Sequence, residues 1–148
     1  MKDGALKVGV IAPDEGRAVR VDHPLTQAYI GDAVWELYVR HHLVARGIVK
    51  PHELQRRSIQ FVSATAQANV LQKLLPELTE EEQDIVRRGR NAKSKTAPKN
   101  AAILDYRHST AVESLIGFLF LTDRLERLAQ LMEPVFHSIE TEGNTADE

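Results

Sequence analysis

The sequence predicts an all-α protein, a single bundle of helices. Three observations predict it: apolar residues recur at three- and four-residue steps through most of the chain, cap and turn residues punctuate those stretches at short intervals, and no run of alternating strand residues interrupts them. A length of 148 residues suffices for one core without disulfide or metal support. With 43% apolar and 27% charged residues, the composition is that of an ordinary globular domain rather than a disordered chain.

Residues 1–22 mix Gly, Pro and charge without a sustained period and are expected to form a flexible N-terminal segment. The domain proper is expected over 23–139, followed by a flexible acidic tail over 140–148. The first helix is predicted from Pro24 or Leu25 to Ala45, with Gly47 as its C-terminal stop. Ile30, Val34, Leu37, Tyr38, His41, Val44 and Ala45 form its most apolar stripe, the expected core face. Pro51 suits a first helical turn and opens a second helix toward Gln60. Ser63 can cap a third that carries Val70, Leu71, Leu74 and Leu75 and stops at Pro76. Thr79 and Glu82 have capping-box spacing for a fourth, with Glu80 and Glu81 favourable at its positive end, running to about Arg88. A loop is expected from Gly89 to Asn100, a short turn or helix over Ala102–Tyr106, an apolar helix from Ser109 to Leu121, and, past Asp123, a last helix ending near His137.

Several function classes are excluded at this level. The chain has no cysteine, so thiolate zinc sites, disulfides and cysteine nucleophiles are absent, and a reducing, cytoplasmic setting is compatible. The run Val8 to Ala12 is too short for a signal peptide, and Ala111 to Leu121 is far below the roughly 20 residues that span a bilayer. The net charge of −2 gives no global argument for nucleic acid, so only local charge can make one.

Three features carry chemistry. Gly31, inside the first helix, costs about 1 kcal/mol relative to alanine, which close approach of another backbone or a ligand would explain. Asp32 follows it, opposite the stripe centred on Val34 and His41, where it can face a cleft; taken alone it reads as a solvated aspartate. Glu113 heads the apolar run Val112 to Leu121 and needs a partner there, either an arginine such as Arg107 or Arg127 or a metal ion. The third feature is Arg87-Arg88-Gly89-Arg90-Asn91-Ala92-Lys93-Ser94-Lys95-Thr96-Ala97-Pro98-Lys99, with six basic residues and no acid. Its donors suit a nucleic-acid backbone, and the lack of interleaved aromatics favours a duplex over a stacked single strand.

Gly31-Asp32-Ala33-Val34, followed about eighty residues later by Glu113-Ser114-Leu115-Ile116-Gly117, resembles the paired signature of the ribonuclease III catalytic domain. The family's Leu-Gly-Asp-Ala stretch matches Ile30 to Ala33, and its Glu-Ala-Leu-Ile-Gly stretch matches Glu113 to Gly117. Arg88-Gly89-Arg90-Asn91-Ala92-Lys93 and Tyr106-Arg107-His108-Ser109-Thr110 resemble the Mini-III branch in particular, and the likeness spans residues 24–138. Larger family enzymes carry a Glu four residues before the helix aspartate and an Asp three residues before the second glutamate. Ala28 and Thr110 stand there instead, a reduced set that the Mini-III branch shares, and no segment after His137 matches the family's double-stranded-RNA-binding domain.

The resemblance implies a ribonuclease III-like helical bundle, Mg²⁺ as cofactor and a double-stranded RNA substrate cut to leave 5′-phosphate and 3′-hydroxyl ends. Asp32 and Glu113 would be the catalytic and metal-binding residues. Arg88, Arg90, Asn91, Lys93, Ser94, Lys95, Lys99 and His108 would contact RNA, while the other histidines read as structural or surface groups. Glu36, one turn from Asp32, reads as the partner of Arg40. The resemblance further implies a homodimer that cuts both strands, with the side of the first helix that includes Trp35 as a candidate contact, while a partly buried core tryptophan is the equal alternative for that residue. It also implies a role in maturing precursor 23S ribosomal RNA, with a ribosomal protein as candidate helper. Two other readings compete: a non-catalytic module of the same fold that binds structured RNA, and a helical adaptor that works through Glu80 to Glu82 and the final helix.

Overall fold

The computed structural model describes residues 22–92 and 102–146, and every regular element among them is helical. The elements are α1 (Pro24–Ala45), α2 (Pro51–Val62), α3 (Ala64–Leu74) running into a 3₁₀ turn (Leu75–Glu77), α4 (Glu80–Asn91), α5 (Ala102–Leu121) and α6 (Leu125–Ala146). The expected N-terminal segment lies outside the described residues apart from Asp22.

Local signals place most of the ends. Pro24 and Pro51 open α1 and α2, where a missing N–H leaves no bond unmade. Past α1, Gly47 adopts a φ of +88°, a left-handed turn that an L side chain disfavours. The Ser63 hydroxyl accepts from the Ala66 N–H at 3.1 Å, capping α3. At α4 the capping box is complete: the Thr79 hydroxyl accepts from the Glu82 N–H, and the Glu82 carboxylate accepts from the Thr79 N–H.

α5 is the central element, packed against α1, α3, α4 and α6. Val112, Leu115 and Leu119 on α5 are buried with Trp35, Val39, Phe61, Val70, Leu71 and Leu128 in one continuous core. Trp35, Phe61 and Phe136 form an aromatic cluster with centroids 5.4 and 5.5 Å from Phe136, and the Trp35 indole N–H donates to the Phe61 carbonyl at 3.0 Å. A candidate dimer contact through Trp35 is therefore overturned, since the side chain is 1% exposed and satisfied inside its own chain.

Other expectations are corrected too. The buried face of α1 is Gln27, Ala28, Gly31, Val34, Trp35, Val39 and Leu43, rotated about a quarter turn from the apolar stripe. Of that stripe, Leu37 and Val44 are 47% and 57% exposed, and His41 and Ala45 are exposed. Of the short turn or helix expected over Ala102–Tyr106, the helix is found, but it is the first part of α5 rather than a separate element, because nothing between Tyr106 and Ser109 breaks a helix and the Thr110 hydroxyl donates back to the Tyr106 carbonyl at 3.0 Å. α4 passes its expected end and reaches Asn91, so Gly89 to Asn91 are helical rather than loop.

α6 continues to Ala146, past the expected stop at His137, which makes 140–146 helix rather than tail. Its acids are anchored. Glu140 accepts from Arg46 at 2.8 Å and meets the His42 ring at 2.5 Å, and Lys73 pairs with Glu142 at 2.6 Å. No helix among the described residues is long and apolar enough to cross a membrane.

Candidate active site

The site begins with two glycines. A Cβ built on Gly31 would lie 1.8 Å from the Glu113 carbonyl oxygen, and one built on Gly117 would lie 1.8 Å from the Gln27 carbonyl oxygen. Each glycine thus abuts the carbonyl one turn before the other, so α1 and α5 cross with backbone against backbone. No residue with a side chain fits at either position. The Ser114 hydroxyl adds a bond to the Pro24 carbonyl at 2.9 Å, tying the start of α1 to the same stretch of α5.

This crossing brings Asp32 and Glu113 together. Asp32 follows the glycine that rests on Glu113's own backbone; it is exposed, at the flank of the buried face rather than opposite it. Glu113 is half-buried, and its Oε1 accepts from the Ser109 hydroxyl at 3.2 Å and its carboxylate from the Gln67 side chain. Burial, and next the negative charge of Asp32, push the Glu113 carboxyl up to about 7, although the bonds from Ser109 and Gln67 act the other way. Asp32 is also raised, by burial and then by the charge of Glu36. No basic residue contributes to either shift.

The arginines expected as partners of Glu113 are elsewhere. Arg127 donates to the Glu82 carboxylate at 2.8 and 2.9 Å and to the Glu77 carbonyl at 2.8 Å, and this pairing holds Glu82 below its ordinary value. Arg107 is exposed and makes no ion pair among the described residues. Glu36 does meet Arg40, at 3.4 Å, yet its charge also reaches both Asp32 and Glu113. Among the described residues no group of three or more acidic, histidine or cysteine side chains forms a ready metal nest. The site is a carboxylate pair with a third acid nearby.

This donor set fits a hard divalent cation. It offers only oxygen ligands, carries acidic charge with no basic residue contributing to it, and holds the Glu113 carboxyl up at about 7 through burial and then the charge of Asp32. The two positions where larger relatives carry acids are closed: Ala28 is 6% and Thr110 7% exposed, and the Thr110 hydroxyl bonds within its own helix.

α4 delivers the basic residues to the rim. Gly89 lies on α5 against Ser114 and Ala111, with a built Cβ 2.6 Å from the Ser114 hydroxyl, so the end of α4 meets α5 one residue from Glu113. Arg90 and Asn91 are exposed there. Arg88 is half-buried and donates to the Asp22 carbonyl at 2.5 Å, so it is engaged with its own chain. Lys93, Ser94, Lys95 and Lys99 lie outside the described residues. His108, half-buried, is next to Ser109 in sequence and stands five residues before Glu113 on α5.

Comparison with known proteins agrees with this arrangement. The ribonuclease III domain model matches residues 26–124. The chain is 49% identical over 127 residues to the Mini-ribonuclease 3 of Brevibacillus brevis, covering 86% of this chain and 95% of that one. It belongs to the ribonuclease III family, in the Mini-ribonuclease 3 branch. The Staphylococcus aureus Mini-ribonuclease 3 is 45% identical over 119 residues, covering 79% and 89% of the two chains. The crystal structure of a Fusobacterium nucleatum protein matches with a TM-score of 0.71 at 29% identity, covering 79% of this chain and 95% of that one. Membership makes the chain a double-strand-specific endoribonuclease. The region matched to the ribonuclease III domain contains both glycines of the crossing, both carboxylates and the α4 rim.

Reading by residue type missed Gln67 and Ser109, which hold Glu113. The signal for Gln67 was present: it stands one turn before Leu71 and two before Leu74, on the buried face of α3, where an amide needs a polar reason.

Proposed function

We propose that Asp32 and Glu113 are the catalytic, Mg²⁺-holding residues of this endoribonuclease, and that it hydrolyses phosphodiester bonds in double-stranded RNA to leave 5′-phosphate and 3′-hydroxyl ends. One observation carries the reading: the glycine of α1 rests on the backbone of Glu113, which sets two carboxylates side by side without a basic partner. Asp32 and Glu113 would hold Mg²⁺, which would supply water activation and charge neutralisation at the departing oxygen. The chain's own residues do the rest. Ser109 and Gln67 hold Glu113, and Glu36 keeps the local field negative until a cation arrives.

Arg90 and Asn91, with Lys93, Ser94, Lys95 and Lys99 beyond them, would follow the RNA backbone from the rim, and His108 would meet a phosphate beside the site. Recognition through sugars and phosphates matches the wide, shallow minor groove of A-form RNA. One carboxylate pair serves one strand, so we propose a symmetric homodimer that presents two sites to the duplex. Its biological substrate would be precursor 23S ribosomal RNA in the cytoplasm, with a ribosomal protein as helper.

Incubation of a plain RNA duplex with the purified protein tests the proposal. Cleavage should need Mg²⁺, stop with chelator, and disappear in Asp32→Asn and Glu113→Gln while gel-shift binding of the duplex survives. Wild-type turnover in either variant would refute the site assignment, and binding without any cleavage would favour a non-catalytic module. End-labelling reads the product termini, sedimentation reads the dimer, and a precursor 23S transcript tests the substrate.

A further inference from the structure

Gln67 is an unusual residue to bury. It is 2% exposed on α3, within a face otherwise made of Ala68, Val70, Leu71 and Leu74. Its side chain donates to the Glu113 carboxylate, while its Oε1 is buried with no hydrogen-bond partner. A buried, unpartnered carbonyl oxygen is unfavourable for folding, and an apolar residue of similar shape would remove that penalty. A residue kept only for packing has no need of the amide. The amide's one visible use is its bond to Glu113.

Ser109 supplies the second bond. It lies one turn before Glu113 on α5, is 9% exposed, and donates to Oε1 at 3.2 Å. Two donors on different helices therefore fix one carboxylate, whereas Asp32, exposed on the opposite wall, has no hydrogen-bond partner among the described residues. The pair is asymmetric, with one member oriented by hydrogen bonds and one that no hydrogen bond among the described residues holds.

We infer that Gln67, assisted by Ser109, is a positioning residue that fixes the Glu113 carboxylate for a divalent cation, so that α3 sets metal affinity although it contributes no ligand. The inference rests on the proposal that Glu113 holds the metal. Hydrogen-bonded partners of metal ligands change affinity by about 10- to 100-fold when removed.

Calorimetric titration of Mn²⁺ into the full-length protein without RNA tests this, beside thermal melts and duplex-cleavage kinetics. Gln67→Met should weaken Mn²⁺ binding about tenfold, lower kcat with KM for the duplex unchanged, and leave the metal-free Tm equal to or above wild type. Ser109→Ala should weaken Mn²⁺ binding less, since its bond is the more exposed of the two. Mn²⁺ affinity within twofold of wild type in Gln67→Met would overturn the inference. So would a lowered Tm with normal affinity, which marks a structural role. Gln67→Leu is the second variant, and failure of both to fold would likewise assign Gln67 to structure. Glu113→Gln separates the two levels: if it abolishes Mn²⁺ binding while Gln67→Met does not alter it, only this inference falls, and if it binds Mn²⁺ normally the metal assignment itself falls.

Discussion

α1 has two interfaces built on different principles. Toward α5 it presents Gly31, against backbone, with a built Cβ only 1.8 Å from the Glu113 carbonyl oxygen. Toward α2 and α6 it presents Trp35 and His42, which meet Phe61 and Phe136 through side chains at centroid distances of 4.9 to 5.9 Å. The first interface fixes two backbones at one separation and can place carboxylates. The second fills volume, and other side chains of similar size can fill it too. The proposed site sits on the interface whose glycines leave no room for a side chain.

The sharpest way to break this contrast is Gly31→Ala. The methyl group must displace backbone, so the fold should lose at least about 3 kcal/mol, and cleavage should fall more than about 100-fold even where the protein remains folded, because reacting groups moved by about 1 Å lose that much. Melting and single-turnover cleavage at low temperature read the two effects separately. Wild-type cleavage in a folded Gly31→Ala would show that the crossing does not set the site.

The second expected effect is a pH dependence confined to the same interface. In the metal-free protein the Glu113 carboxyl keeps its proton up to about pH 7, against an ordinary value of 4.5. The native state therefore binds the extra proton between these values, and this group's contribution to stability is greatest below pH 4.5 and is lost as pH rises to 7, by roughly 3 kcal/mol at most. Glu113→Gln should flatten that slope in melts from pH 5 to 8, and Mg²⁺ should raise Tm more at pH 8 than at pH 5. Parallel slopes in wild type and variant would contradict it.

On the aromatic side, Phe136→Leu should cost about 1 kcal/mol and leave cleavage per folded molecule unchanged. A large loss of turnover there would erase the contrast. Smallest of all, Arg40→Ala removes an exposed i,i+4 pair with Glu36 and should change stability by less than about 0.5 kcal/mol in denaturant titrations.

The same contrast explains what the sequence made legible. Caps and breakers at Pro24, Gly47, Ser63 and Thr79 act through local bonds, so the helix starts could be read from residue type. The core face of α1 could not be read from hydrophobicity, because an interface made by backbone approach consists of Gln27, Ala28 and Gly31, which add little to an apolar pattern. The more apolar stripe that includes Leu37 and Val44 is largely exposed. Asp32 and Glu113 were legible as a motif, yet the reason Glu113 has no arginine was not, because Arg127 is committed to Glu82 forty-five residues away in sequence. The length of α6 escaped for a similar reason, since Glu140 and Glu142 look like tail acids until His42, Arg46 and Lys73 are brought beside them.

Ser114 is wholly buried, donates to the Pro24 carbonyl and lies under Gly89. That one small side chain gauges two gaps at once: the seat of α4, which carries the exposed Arg90, and the start of the helix that carries Asp32. A residue with one more carbon at 114 would push the end of α4 and the start of α1 apart, so on the proposed function the distance from RNA grip to cut would be set by a spacer that need touch neither RNA nor ion.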